Sequence, residues 1–184
     1  ASIGYAEKIK KNIELGIIRN HYVGRTFIEP TQQIRSFGVK LKHNTNKSLI
    51  KDKSLVLIDD SLVRGTTSIK IIKMLYDAGA KEVHLRIASP PIKYPDYYGV
   101  DTPNQNELLA SKFNVEGMRK FINATTLQFL SIEGLYTSMG YKKRNSSYPQ
   151  FTDHCFTGEY PVKPIDASDK SFVDGQISFM SSKT

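Results

Sequence analysis

S-L-V-L-I-D-D-S-L-V-R-G-T-T-S, residues 54–68, decides the fold. Its apolar run, Leu55, Val56, Leu57 and Ile58, stops at two adjacent carboxylates, Asp59 and Asp60. The chain then crosses Ser61 and Arg64 to Gly65 and ends in the hydroxyl residues Thr66, Thr67 and Ser68. A short apolar run bounded by turn chemistry suits a buried strand of a parallel sheet better than a helix. Ile69, Ile72, Met74 and Leu75 then recur at roughly helical spacing, and Gly79 stands where a helix C-terminus is capped. Strand, acidic loop and helix start are thus predicted within one piece of chain.

Such a loop is suited to anions. The opening N–H groups of a helix have no partner within it and carry the positive end of its dipole, which favours a phosphate. Gly65 lets the backbone come close to a ligand, and Thr66, Thr67 and Ser68 add hydroxyl donors. Asp59 and Asp60 can accept bonds from sugar hydroxyls or hold a hard cation such as magnesium through oxygen. A ribose phosphate with its magnesium would satisfy both ends of the loop. The same letters also describe a solvated Asp turn followed by a Thr N-cap, so the pattern alone leaves both readings open. The sequence contains neither a Walker glycine-lysine loop nor G-x-G-x-x-G, which removes two common phosphate-binding rivals.

At 184 residues the chain is long enough for one domain with a real core. No stretch approaches the about 18 apolar residues of a membrane span, and none reads as a signal peptide. Cys155 is the single cysteine and has no partner for an internal disulfide, so a cytoplasmic location is expected. The formal charge of +8 is unevenly placed: residues 1–53 hold 11 Lys/Arg against 4 acids, and 54–184 hold 15 against 14. A basic arm suits nucleic acid in principle. Here its cations are scattered and carry no RNA-recognition or zinc-finger pattern, so nucleic-acid binding is not expected.

Residues 1–18 read as a helix with Ile3, Ala6, Ile9 and Ile13 on one face, ended by Gly16. Residues 19–42 lack sustained periodicity and carry Arg19, His21, Arg25, Arg35, Lys40 and Lys42 against the single acid Glu29. A mobile loop this cationic can close over a polyanion and exclude water. His21 and His43 have no carboxylate or cysteine pattern nearby and are not expected to bind metal. Residues 42–53 read as a polar connection and 83–88 as a second strand. A strand-helix-strand unit of this length implies a right-handed crossover and a parallel sheet. Ser89, Pro90 and Pro91 end the second strand at its carboxyl end, where ligands of open α/β sheets bind. Thr102 and Pro103 look like a helix N-cap and first helical position. Val115, Met118, Phe121 and Ile122 mark another helix, 127–130 a short strand and 132–139 a last helix; 162–184 are expected to form a polar tail.

L-V-L-I-D-D-S-L-V-R-G-T-T-S, residues 55–68, closely resembles the phosphoribosylpyrophosphate (PRPP) loop of type I phosphoribosyltransferases, in the version found in the glutamine PRPP amidotransferase (amidophosphoribosyltransferase) family. R-N-H-Y-V-G-R-T-F-I-E-P-T-Q-Q-I-R at 19–35, A-G-A-K-E-V-H-L-R-I-A-S-P-P-I at 78–92, Y-G-V-D-T-P at 98–103 and C-F-T-G-E-Y-P at 155–161 are similar to the same family in the same order. The loop points only to the superfamily, whereas Y-V-G-R-T-F is much more specific to this member. The resemblance implies an α/β fold of the type I phosphoribosyltransferase kind, a mostly parallel sheet flanked by helices with a flexible loop over the site. Residues 1–161 are expected to be a partial phosphoribosyltransferase domain.

By the same resemblance, ammonia from glutamine displaces pyrophosphate from PRPP to give 5-phosphoribosylamine in de novo purine biosynthesis. Arg25, Asp59 and Asp60 are the residues expected to serve the chemistry. Tyr22, Arg25, Thr26 and Gln33 would lie on the loop that folds over PRPP, Arg25 neutralising pyrophosphate. Asp59 and Asp60 would hold the ribose hydroxyls and magnesium; Ser61, Arg64, Gly65, Thr66, Thr67 and Ser68 would complete the PRPP contacts, 65–68 taking the 5-phosphate. Purine nucleotides are implied as feedback inhibitors and a homo-oligomer as the assembly. The alternative is a non-catalytic regulator of the same fold that senses PRPP or a purine nucleotide.

Two departures from the family carry expectations of their own. Some members hold an iron–sulfur cluster on four cysteines; Cys155 keeps one of those positions, but Asp96 and Thr152 stand where those members have Cys. Thiolates hold such clusters, so none is expected, and Cys155 is read as a plain small hydrophobe. In the family, A-S-I-G-Y-A follows almost directly on a P-D-S-G turn that binds ligand phosphates. The chain is therefore expected to be a C-terminal fragment without the N-terminal glutaminase domain, unable to hydrolyse glutamine and impaired in PRPP chemistry on its own.

Overall fold

In the computed structural model, which describes residues 1–19, 43–100, 102 and 104–162, a helix opens the chain but stops early. Helix α1 spans Ser2–Ile9 and ends at Lys10, which turns into the left-handed region at φ 53°. Ile3, Ile9 and Ile13, whose spacing predicts helix over 1–18, are all exposed. Helices draw most of their stability from packing an apolar face, and among the described residues no packed face carries this one past Ile9. Instead Ile17–Arg19 forms strand β1, antiparallel to β2, His43–Thr45, with Ile17 opposite Thr45. Gly16, predicted to end the helix, accepts the Asn46 N–H and closes that ribbon. Lys47–Ile50, predicted as connection, is the one-turn helix α2, anchored by the buried Ile50.

Strand β3 (Ser54–Asp59) and strand β4 (Glu82–Ile87) pair in parallel, Ser54 opposite Glu82 and Asp59 opposite Ile87, and helix α3 (Thr66–Asp77) makes the crossover. The helix ends as its glycine predicts: Gly79, at φ 95°, donates to the Tyr76 carbonyl while Ala80 donates to that of Leu75. That pair of reversed bonds requires a left-handed residue, which glycine adopts without strain.

Strand β5 (Thr126–Phe129) pairs in parallel with the other side of β4, so the order is β3, β4, β5. The middle strand is therefore β4. Val83, Leu85 and Ile87 alternate into the core from it. His84 and Arg86 lie between them and both bond Thr126 Oγ1 across to β5. One face of the sheet is thus apolar and the other polar. The apolar run at 55–58, predicted to be a buried strand, instead lies at an edge of the described sheet, with Val56 43% exposed on the polar side.

The core joins Ile72 and Leu75 of α3, the inward residues of β4, Leu127 of β5, and Met118 and Ile122 in and just after helix α5 (Val115–Phe121). Ahead of α5 come a 3-10 turn at Gln105–Glu107 and helix α4, Leu109–Lys112. Thr102, predicted as a helix N-cap, instead accepts the Asp96 N–H on its hydroxyl at 2.6 Å, and helical structure starts only with the 3-10 turn. Asn114 caps α5 and Ser131 caps helix α6, Ile132–Ser138, each accepting an N–H from the first turn. A further turn of helix, α7 at His154–Thr157, follows the helix predicted to be last. Residues 163–184 of the predicted tail lie outside the described residues.

Candidate functional site

The carboxyl end of β3 delivers Asp59 and Asp60 to a loop whose far side is the start of α3. Asp60 N–H donates to Asp59 Oδ1 at 3.0 Å, and Ser61 Oγ donates to Asp60 Oδ1 at 2.9 Å. Leu62 is buried and pins the loop to the core. Val63 accepts the Leu109 N–H at 2.8 Å, and Arg64 Nε lies 2.7 Å from Glu107 Oε2. Gly65 then turns the chain at φ 78°. A Cβ at this position would crowd Leu109 Cδ2 at 3.0 Å and Phe121 Cε1 at 3.3 Å, and the left-handed backbone favours glycine in any case. Ile69 N–H closes the first turn on the Gly65 carbonyl at 2.9 Å. The N–H groups ahead of it, from Thr66, Thr67 and Ser68, have no acceptor within the helix.

Asp59, Asp60, Ser61, Arg64, Gly65, Thr66, Thr67 and Ser68 therefore lie along this one loop and the first turn of α3. Thr66 and Thr67 are exposed, whereas Ser68 is buried. Arg64 is directed toward Glu107. Tyr22, Arg25, Thr26 and Gln33 lie outside the described residues. Two adjacent carboxylates at a strand end form a hard oxygen donor set of the kind magnesium takes, so the residues fit that ion.

A second polar assembly escaped the sequence reading. Asp96 Oδ1 accepts the N–H groups of Tyr98 at 2.7 Å and Val100 at 3.1 Å, while its Oδ2 lies 2.8 Å from His154 Nε2 and 3.8 Å from Cys155 Sγ. Burial opposes charge on Asp96, yet the two N–H bonds and His154 hold its carboxyl below the usual range. Burial, and after it the Asp96 charge, push the Cys155 thiol up to about 11. Cys155 is thus no plain hydrophobe: it is half-buried against a carboxylate. Thr152 is exposed. A set with one thiol, one imidazole and one carboxylate does not fit an iron–sulfur cluster, which thiolates hold.

Beside this trio, Arg144 bridges Asp153 and Glu159, and Tyr136 Oη donates to Asp153 Oδ2 at 2.9 Å. The consecutive letters Asp153, His154 and Cys155 were the available signal for this corner. Their partners are far away in sequence, which is why the signal went unread.

No family model matches the chain. An amidophosphoribosyltransferase of Rhizobium etli is 56% identical to it over 183 residues, which is 99% of this chain and 37% of the relative. The chain belongs to the amidophosphoribosyltransferase family. The amidophosphoribosyltransferase of Bacillus subtilis is 50% identical over 163 residues, 89% of this chain and 34% of that one. The solved structure of the glutamine PRPP amidotransferase of B. subtilis in complex with ADP and GMP matches with a TM-score of 0.73 at 50% identity, covering 86% of this chain and 35% of its own. A structure described as the allosteric regulatory enzyme of purine biosynthesis matches with a TM-score of 0.74 at 49% identity. The α/β fold of type I phosphoribosyltransferases is therefore the fold of this chain, which spans 37% and 34% of the length of the two relatives.

Proposed function

We propose that this chain forms the PRPP site of an amidophosphoribosyltransferase, in which ammonia drawn from glutamine displaces pyrophosphate at the anomeric carbon of PRPP and 5-phosphoribosylamine forms on the way to purine nucleotides. The observation that carries the reading is the joining of Asp59 and Asp60 to the amino end of α3 by one braced loop. The close identity to a PRPP amidotransferase of known structure supports it.

In this reaction charge builds on the leaving pyrophosphate and on an oxocarbenium-like ribose, so positioned dipoles and cations lower the barrier more than a nucleophile could. The N–H groups of Thr66, Thr67 and Ser68, with the hydroxyls of the two threonines, would take the 5-phosphate. Asp59 and Asp60 would accept the ribose hydroxyls and hold magnesium, which when bound offsets the negative charge of the pyrophosphate. Ser61 and Arg64 would line the same loop, Arg64 kept in register by Glu107. Tyr22, Arg25, Thr26 and Gln33 are assigned to the segment that closes over PRPP and excludes water, Arg25 meeting the pyrophosphate. In the same proposal residues 1–161 form the phosphoribosyltransferase part, purine nucleotides act as feedback ligands, the enzyme is a homo-oligomer, and it works in the cytoplasm.

The test is isothermal titration of magnesium-PRPP into the 184-residue chain beside an Asp59→Asn, Asp60→Asn double variant. Binding by the parent, weakened tenfold or more in the variant, is the expected result. Parent-like affinity in a folded variant would overturn the assignment of Asp59 and Asp60.

A further inference from the structure

We propose that Asp96, His154 and Cys155 form a binding site for one borderline divalent cation of the zinc kind. They offer a carboxylate, an imidazole and a thiol whose ligand atoms all lie within 4.8 Å of one another. Around a tetrahedral zinc, with bonds of about 2.0–2.3 Å, oxygen and sulfur ligands stand about 3.6 Å apart and oxygen and nitrogen about 3.4 Å. Asp96 Oδ2 and Cys155 Sγ, at 3.8 Å, already have nearly that separation. Asp96 Oδ2 and His154 Nε2, at 2.8 Å, would have to part by about half an ångström.

The corner is held as a coordinating site has to be. The Tyr98 and Val100 N–H groups occupy Asp96 Oδ1, which fixes the carboxylate with Oδ2 toward the other two side chains. The Cys155 carbonyl accepts the N–H groups of Lys93 at 2.9 Å and Tyr94 at 3.1 Å, tying α7 to the 93–100 segment. Tyr98 and Tyr160 pack on the His154 ring with centroids 5.0 and 4.9 Å away. The side chains of His154 and Asp96 are 3% and 8% exposed. His154 Nδ1 is buried with no hydrogen-bond partner among the described residues, so the contact of Nε2 with Asp96 Oδ2 is what holds the ring there, and a cation between the two would take over that contact.

The donor types select the ion. Sulfur and nitrogen beside a single carboxylate favour zinc and its neighbours over magnesium or calcium, which take oxygen. This separates the site from the Asp59 and Asp60 pair. Binding would form the metal–sulfur bond as the Cys155 S–H proton passes to solvent, with no change of oxidation state. The bound ion would clamp the 93–100 segment to α7.

Cobalt(II) titration of the reduced 184-residue chain tests this, because Cys155 is the only cysteine and thiolate-to-cobalt absorption can come from nowhere else. One equivalent should give that absorption together with the visible bands of tetrahedral cobalt, zinc should displace it, and zinc should raise the Tm of the parent. Asp96→Asn and His154→Gln should each weaken cobalt binding about tenfold or more. Absence of the thiolate band in a folded parent overturns the site. So does parent-like affinity in both folded variants, because the thiol alone would then account for the cobalt. Neither outcome depends on whether PRPP binds.

Discussion

The 59–68 loop and the corner built by 93–100 with 153–160 both gather polar groups, and they do so in opposite ways. In the loop, donors and acceptors are neighbours in sequence and several are exposed: Asp60, Arg64, Thr66 and Thr67. In the corner, Asp96 meets His154 across 58 residues, and Asp153, His154 and Asp96 are nearly fully buried. A loop of the first kind gathers its groups by local backbone rules, with Leu109 and Glu107 bracing it from outside, and presents several of them at the surface. A corner of the second kind exists only once the chain has folded, and its charges must be satisfied by each other or by an ion.

Substitutions in the two regions should therefore differ in what they damage. Arg144→Met should be the most harmful, because it strands the buried Asp153 carboxylate; a loss of about 3–5 kcal/mol is expected in urea unfolding. Tyr136→Phe keeps the ring and removes one hydrogen bond to the same carboxylate, so about 1.5–3 kcal/mol should be lost by the same measurement. If both variants unfolded like the parent, the corner would carry no stability and the contrast would fail.

Gly65→Ala acts on the other region. The left-handed backbone costs about 1–2 kcal/mol for a residue with a Cβ, and contact with Leu109 and Phe121 adds to it. Magnesium-PRPP affinity measured by calorimetry should fall with it, whereas Arg144→Met should leave affinity intact at temperatures where the chain stays folded. Glu107→Gln should have the mildest effect. The Arg64–Glu107 pair is half-exposed, so its loss should cost less than about 1 kcal/mol, detectable as a small change in PRPP affinity that disappears at high salt.

The order of residues specified the β3–α3–β4 unit, its parallel pairing and the grouping of Asp59 through Ser68, because each signal is local. An apolar run, a carboxylate pair, a positive-φ glycine and a helix period all act within a few residues. Helix α1 shows the limit of that reasoning: its apolar spacing continues past Ile9, but a pattern needs a surface to pack on. The middle position of β4 was likewise invisible, because strand order depends on where β5 docks, and β5 lies 39 positions beyond the end of β4. The burial of Ser68, the bracing of the loop by Glu107 and Leu109, and the meeting of Asp96 with His154 and Cys155 were decided by contacts between distant segments. Such contacts leave no period or spacing in the sequence, since they follow from how the helices and strands fill the space around one core.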